Sequence, residues 1–146
     1  MKTIILYCSY TGRTHALAVK KATELDCDME EIRDVKKPSL LASIKMASKR
    51  EKSEIMPIQA RLDKYDKIII MSPVWASHPV PAVNSLIECL PAGKLIEFYF
   101  NSAGGGTKKS AEGTKALASA KGCEVVGYTD VQVKIKGDEI LWKKLD

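Results

Sequence analysis

The residues best suited to chemistry lie in a short loop, Ser9–Thr14, that follows an apolar run near the start of the chain. Ser9, Thr11 and Thr14 carry hydroxyl groups, Gly12 lies among them, and a helical pattern starts directly afterwards. The first N–H groups of a helix have no internal partners and the helix dipole favours negative charge, so this order of strand, loop and helix predicts a phosphate site. Glycine allows the tight turn that brings the backbone close to such a ligand.

Two later loops carry residues that suit a flat aromatic ligand. Segment 72–79 follows a continuous apolar run and contains Trp75, whose broad ring can contact a planar group. Segment 101–107 contains three consecutive glycines, Gly104–Gly106, which allow the backbone to approach a ring and donate N–H groups to it. A phosphate cradle, a stacking surface and a backbone-lined slot at one edge of a sheet together predict a site for flavin mononucleotide (FMN).

Each of these signals also has a simpler interpretation. A hydroxyl-rich turn can be an ordinary helix cap, Trp75 can cover the core, and a glycine run can be a plain flexible loop. Two other phosphate motifs are absent, because Gly12 is not followed by Gly-Lys-Ser/Thr and no G-x-G-x-x-G follows the first strand. A nucleoside triphosphate, or a dinucleotide bound in the Rossmann manner, is therefore not expected.

The segments that position these loops alternate between strand-like apolar runs and amphipathic helical patterns. This alternation predicts a single α/β domain over residues 1–146, built as a three-layer, doubly wound parallel sheet of five strands. Ligands bind such sheets at the carboxyl ends of the strands, which places the site in the loops after the first, third and fourth strands. The expected strands are Lys2–Cys8, Met29–Arg33, Lys67–Met71, Leu95–Phe100 and Cys123–Val133, the last with a bulge at Gly127.

The expected helices are Arg13–Leu25, Ser39–Ser48 capped by Ser39, a helix that begins near Pro79 and Pro81, and Thr107–Ala120. In the second helix, the spacing of Leu40, Leu41, Ile44 and Ala47 predicts an inward-facing stripe. Segment Glu51–Leu62 shows no period and is expected to be a loop. The tail, Gly137–Asp146, is expected to hold only a short last helix.

Composition limits the class of protein. The chain has 146 residues, of which 45% are hydrophobic and 28% charged, with a net charge of +5. No apolar run reaches the roughly 18 residues that cross a bilayer, and the chain opens directly on a strand pattern, so a cytoplasmic protein without a membrane span is expected. The four cysteines Cys8, Cys27, Cys89 and Cys123 are widely spaced, which predicts buried free thiols and no metal site.

A basic stretch, 36–52, contains six cations and one acidic residue. Such a stretch can bind nucleic acid or an anionic membrane surface. It has little aromatic interleaving and no nucleic-acid motif, so a solvated face is favoured and no specific nucleic-acid partner is expected.

Three motifs, in the right order along nearly the whole chain, resemble those of the flavodoxin family. They are Ser9-Tyr10-Thr11-Gly12-Arg13-Thr14, Pro73-Val74-Trp75 and Ser102-Ala103-Gly104-Gly105-Gly106. The resemblance implies strand order 2-1-3-4-5, noncovalent FMN and a redox function. It implies that the cofactor-binding residues are Ser9, Tyr10, Thr11, Gly12, Arg13, Thr14, Pro73, Val74, Trp75, Ala76, Ser102, Ala103, Gly104, Gly105 and Gly106.

The chain departs from the flavodoxin pattern in three ways. Its net charge is positive, whereas flavodoxins tend to be acidic, and its third loop has glycines where the family often places an aromatic residue over the ring. Ala76 and Ser77 stand where electron-shuttle flavodoxins often carry a glycine whose peptide rotates on reduction. Without that glycine the rotated form is strained, so weaker stabilisation of one-electron-reduced flavin is expected.

Three functions are compatible with these features. The leading hypothesis is an FMN-binding redox protein that transfers electrons to a partner protein or a small-molecule acceptor. The alternative is an NAD(P)H-dependent, FMN-containing flavin or quinone reductase, which would be an FMN-dependent oxidoreductase with its own substrate. The third is a binding domain that has kept the fold and lost the cofactor. No side chain is predicted to be catalytic, although His15 and His78 lie beside the predicted site.

Overall fold

The computed structural model describes residues 1–36 and 39–145, so Lys37, Pro38 and Asp146 lie outside the described residues. The strands are β1 (Thr3–Tyr7), β2 (Asp28–Glu31), β3 (Lys67–Trp75), β4 (His78–Pro79), β5 (Leu95–Asn101), β6 (Glu124–Lys136) and β7 (Glu139–Lys144). The helices are α1 (Arg13–Leu25), α2 (Leu40–Ser48), α3 (Pro81–Glu88) and α4 (Ala111–Ala120), with a short 3₁₀ turn at Leu62–Lys64.

The sheet has the predicted doubly wound arrangement. Its main path runs β2-β1-β3-β5-β6-β7, and all neighbours from β2 to β6 are parallel. Because β4 is a two-residue strand paired only with β3, the five parallel strands follow the predicted order 2-1-3-4-5. The predicted bulge is confirmed, since Ile96 pairs with Val125 but Glu97 pairs with Gly127.

Two hydrophobic cores lie on opposite faces of the sheet, which gives the three layers. On one face α1 packs through Leu17 and Ala18 against the centre of β1 and β3. On the other face, side chains of α3 and α4 cover the alternate residues of the same strands, together with Phe98 and Phe100 of β5. The continuous apolar run of β3 is explained by this burial on both faces.

The prediction of a short helix in the tail is wrong. Residues Glu139–Lys144 form β7, which pairs antiparallel with an extended β6 after a two-residue turn at Gly137 and Asp138. Gly137 has φ 58°, the left-handed conformation that glycine favours in such tight connections. Alternate residues Ile140 and Trp142 pack against the α1 core, so the hairpin covers part of that face.

The predicted stripe of α2 is confirmed at Ala47 and wrong at Leu40, Leu41 and Ile44. Ser43 and Ala47 are the buried residues of the helix, whereas Leu40, Leu41 and Ile44 are 66%, 82% and 38% exposed. The helix packs through its small residues Ser43 and Ala47. Small side chains allow a helix to lie closer to its neighbours than leucine side chains do. The predicted cap is confirmed, because the Ser39 hydroxyl accepts a hydrogen bond from Ala42 N–H at 3.3 Å.

Part of the basic stretch is used to attach α2 and the chain that follows it to neighbouring helices. Arg50 donates to Ser110 O at 2.6 Å and to Thr114 Oγ1 at 3.0 Å, and Lys52 forms an ion pair with Glu88 at 2.7 Å. These two cations therefore have structural partners.

The cysteines are all free, and their burial differs. Cys8 and Cys123 are buried as predicted, whereas Cys27 is partly exposed and Cys89 is exposed. Burial is the main cause that raises the pKa of the Cys8 thiol far above its usual range, so Cys8 is a packing residue. No helix in the described part of the chain is long and apolar enough to cross a bilayer.

Candidate cofactor-binding site

The first loop turns sharply into α1 at Gly12. Gly12 has φ 90° and is the N-cap of the helix, a backbone conformation that strains residues with a Cβ atom. The Ser9 hydroxyl accepts a hydrogen bond from His15 N–H at 3.2 Å, which folds the loop over the start of the helix. Thr11 and Arg13 are exposed at the tip, beside the positive end of the helix dipole. This arrangement has the donor chemistry that a phosphate group needs.

A buried hydrogen bond joins the first loop to the end of β5. The Thr14 hydroxyl donates to Asn101 Oδ1 at 2.5 Å, and both residues are almost fully buried. The two residues are 87 positions apart in the chain. The hydroxyl of Thr14 therefore joins two loops of the candidate site, and its proton is used in that bond.

An aromatic pair joins the first and second loops. The rings of Tyr10 and Trp75 stack with centroids 4.9 Å apart and planes at 29°. Tyr10 is anchored by a hydrogen bond from its hydroxyl to Asp34 at 2.6 Å, and Asp34 also accepts from Ser53. Burial, followed by the bond to Asp34, raises the pKa of Tyr10, so its hydroxyl stays protonated. Trp75 is thus held in a fixed orientation at the rim of the sheet.

A tight turn connects Trp75 to His78, which pair with each other across β3 and β4. Both turn residues have positive φ, at 50° for Ala76 and 60° for Ser77. Both turn carbonyls accept hydrogen bonds, Ala76 O from His78 Nδ1–H at 2.7 Å and Ser77 O from the Ser110 hydroxyl at 2.6 Å. The turn is strained and also fixed at both peptides.

The third loop is organised around the Ser102 hydroxyl, which accepts hydrogen bonds from Gly104 N–H at 3.3 Å and Gly106 N–H at 2.9 Å. These two N–H groups are therefore directed into the loop, which corrects the expectation that they face a ring. Asp130 of β6 holds the end of the loop by accepting from the N–H and the hydroxyl of Thr107 at 3.0 and 2.8 Å. At Gly106, with φ 66°, a Cβ atom would come within 3.2 Å of Asp130.

The three loops meet at one cleft of about 400 Å³ at the carboxyl edge of the sheet. The residues lining it are Thr11, Arg13, Pro73, Val74, Asn101, Ser102, Ala103, Gln132, Val133 and Lys134. Among these described residues the only charged side chains are cationic. The cleft therefore combines an apolar wall, hydroxyl and amide donors, and positive charge, which suits a planar ligand that carries a phosphate.

Several solved structures resemble this one. An FMN-complexed flavoprotein from Lactobacillus acidophilus NCFM superposes with a TM-score of 0.74 and 25% sequence identity, over 88% of this chain and 92% of that chain. Oxidised flavodoxin 1 from Bacillus cereus gives a TM-score of 0.55 at 17% identity, over 94% and 88% of the two chains. The chain has the flavodoxin-like fold. Oxidised flavodoxin 2 from Bacillus cereus gives a TM-score of 0.57 at 19% identity, over 95% of this chain and 88% of that one. No protein-family model and no curated protein matches the sequence.

This flavodoxin-like structure brings some of the predicted site residues into the cleft and places others behind it. Thr11, Arg13, Pro73, Val74, Ser102 and Ala103 line the cleft. The other predicted residues, Ser9, Tyr10, Gly12, Thr14, Trp75, Ala76, Gly104, Gly105 and Gly106, shape or flank the three loops. His15 Nδ1 and the Tyr7 hydroxyl share a hydrogen bond of 2.8 Å, which turns the His15 ring towards β1.

Sequence reasoning missed four residues of the cleft, Asn101, Gln132, Val133 and Lys134. Three of them, Gln132, Val133 and Lys134, belong to the β6–β7 hairpin. The sequence pattern predicts a last strand that ends at Val133 and no hairpin. The signal for this hairpin was present in the sequence, because Gly137-Asp138 lies between two runs with alternating apolar residues.

Proposed function

We propose that this protein binds FMN noncovalently and acts as a redox flavoprotein that transfers electrons. The observation that carries the proposal is the convergence of three loops on one cleft at the carboxyl ends of β1, β3 and β5. A flat ligand with a terminal phosphate fits a cleft that has apolar side walls and cationic and hydroxyl groups. The likeness to an FMN-complexed flavoprotein supports the same ligand.

The parts of the cleft have different proposed roles. The first loop, with its helix N-terminus, Thr11 and Arg13, would hold the phosphate. Pro73 and Val74 would contact the ring system, beside the Tyr10–Trp75 stack. Ser102 and the loop it organises would cover the other side of the ring. The remaining predicted site residues would act through these loops.

Bound FMN would supply the redox chemistry, and the protein would bind it, orient it and control access to it. The hydrogen bonds from Thr14 to Asn101 and from Tyr10 to Asp34 fix the loops before a ligand arrives. Preformed loops lose less conformational entropy on binding than mobile ones, so they favour tight binding.

Titration of the purified protein with FMN tests the proposal. We expect stoichiometric quenching of flavin fluorescence, a shifted visible spectrum and a higher melting temperature, because a ligand that binds only the folded state stabilises it. Riboflavin is the matched ligand without phosphate and should bind more weakly. A folded sample that takes up no FMN in calorimetry would overturn the proposal and favour a binding domain without cofactor.

A second candidate function is an NAD(P)H-dependent flavin or quinone reductase. Two observations favour it over a dedicated one-electron carrier. The Ala76–Ser77 turn is fixed at both carbonyls, which opposes peptide rotation. The third loop, 102–106, carries no aromatic side chain, which leaves space for a second planar molecule beside the ring. Steady-state oxidation of NADH or NADPH by a quinone, with FMN-loaded protein, distinguishes the two functions.

A further inference from the structure

The β6–β7 hairpin extends beyond the sheet at the edge where the cleft lies. Strand β5 ends at Asn101, opposite Val131, whereas β6 continues to Lys136 and there pairs only with β7. The carboxyl ends of parallel strands share one edge of a sheet, so the extra residues of β6 form a wall beside the three loops. This wall is the reason that Gln132, Val133 and Lys134 line the cleft.

Side chains from both faces of this wall line the cleft, Val133 from one face and Gln132 and Lys134 from the other. Val131 and Val133 are buried in the α1 core, so Gln132 and Lys134 lie on the opposite face of the strand. Gln132 Nε2 donates to Ala103 O at 2.8 Å and so attaches the hairpin to the third loop. Lys134 lies two residues further along the same face.

The charge of the cleft is unbalanced. Arg13 and Lys134 are its cationic lining residues, and no acidic residue is found among the described residues that line it. Both side chains are exposed, and neither forms an ion pair or side-chain hydrogen bond with any described residue. Like charges that line one cleft repel each other unless an anion lies between them. An uncompensated pair of cations beside a helix N-terminus therefore favours a doubly charged anion.

We infer that Lys134, contributed by the C-terminal hairpin, acts with Arg13 as a charged binding group for the phosphate of the cofactor. The inference rests on the proposed FMN binding and makes phosphate recognition in this protein dependent on charge, in addition to the backbone and hydroxyl donors of the first loop. An ammonium group and a phosphate form a charge-assisted hydrogen bond, which is stronger than a bond between neutral groups. The hairpin thereby adds to the selectivity of the first loop for the phosphorylated flavin.

The test compares Lys134→Gln with Lys136→Gln, a matched control. Lys136 lies on the same face of β6, two residues beyond Lys134 and outside the residues that line the cleft. We expect Lys134→Gln to weaken FMN binding by about tenfold, as loss of one charge-assisted hydrogen bond at an exposed site implies, and to leave riboflavin binding unchanged. Lys136→Gln should bind both ligands like the wild type, and Lys134→Arg should restore most of the affinity for FMN.

The salt dependence gives an independent measurement. The affinity of the wild type for FMN should fall as ionic strength rises, and the affinity of Lys134→Gln should fall less steeply, because one exposed charge interaction is gone. Equal losses for FMN and riboflavin in Lys134→Gln, or equal FMN affinities in the two glutamine variants, would overturn the inference. Melting curves without ligand check that each variant is folded.

A wild-type protein that does not bind FMN would give a different pattern of results from one in which only the role of Lys134 is wrong. If the wild type binds neither flavin, the FMN proposal is wrong, and inorganic phosphate alone then decides the role of Lys134. Phosphate that raises the melting temperature of the wild type and of Lys136→Gln, but not of Lys134→Gln, would support the anion site. Equal effects on all three proteins would refute it.

Discussion

Replacement of Ala76 by glycine should stabilise this protein, although the same replacement in a helix destabilises most proteins. Ala76 has φ 50° and its side chain is exposed. The change therefore relieves backbone strain and removes a methyl group that buries little apolar surface. The left-handed conformation costs a residue with a Cβ atom about 1–2 kcal/mol. Glycine avoids that cost but loses roughly 0.5–1 kcal/mol more conformational entropy on folding than alanine.

The difference between these terms predicts that Ala76→Gly raises the free energy of unfolding by up to about 1.5 kcal/mol, with a central value of about 0.7 kcal/mol. Urea denaturation followed by circular dichroism measures it, and the slope of the transition should not change. The matched control is Ala116→Gly, an exposed alanine inside α4, which should lower stability by about 1 kcal/mol.

The sign of the difference between the two variants tests the argument. If Ala76→Gly destabilised the protein as much as Ala116→Gly, the turn would store no strain, and the reasoning from its positive φ would be refuted.

Three further predictions concern the loops and the thiols. Thr14→Val should lower the free energy of unfolding by about 1–3 kcal/mol in urea denaturation, because it leaves Asn101 Oδ1 buried without its donor; an unchanged midpoint would show that this bond does not join the loops. Cys89 is exposed and should react quickly with a thiol reagent at neutral pH. Cys8 should react only on unfolding, because burial excludes the reagent and raises the pKa of the Cys8 thiol. Fast modification of Cys8 in the folded protein, located by mass spectrometry, would contradict its packing role. Stepwise photoreduction of the FMN-loaded protein should pass from oxidised to two-electron-reduced flavin with little long-wavelength absorbance, since the hydrogen bonds at both carbonyls of the Ala76–Ser77 turn oppose peptide rotation; a strong long-wavelength band would favour a one-electron carrier.

The parallel sheet and the loops that form the candidate site were predictable because their signals are local. A buried strand such as Ile68–Met71 needs only a continuous apolar run, and a cradle such as Ser9–Thr14 needs only hydroxyls and glycine between strand and helix. The general rule that ligands bind at the carboxyl ends of strands then places three loops at one edge.

The errors arose where local pattern and packing disagree. Leu40 and Leu41 fit one helical face together with Ala47, yet α2 buries Ser43 and Ala47 and leaves both leucines exposed. The tail has enough apolar residues for either a short helix or a strand. It forms a strand because the edge of β6 is available for pairing. An unpaired edge with free N–H and C=O groups stabilises a strand there more than an isolated helical turn.

The sequence by itself determined the α/β alternation, the mostly parallel sheet and the loops that carry the candidate site, whereas the strand order was implied by the resemblance to flavodoxins. Only the tertiary structure decided which side chains meet there. The bond between Thr14 and Asn101, the stack of Tyr10 on Trp75, and the entry of Lys134 into the cleft all join segments far apart in the chain. Such contacts depend on the register between neighbouring strands and on the packing of distant segments, which a local sequence pattern does not specify.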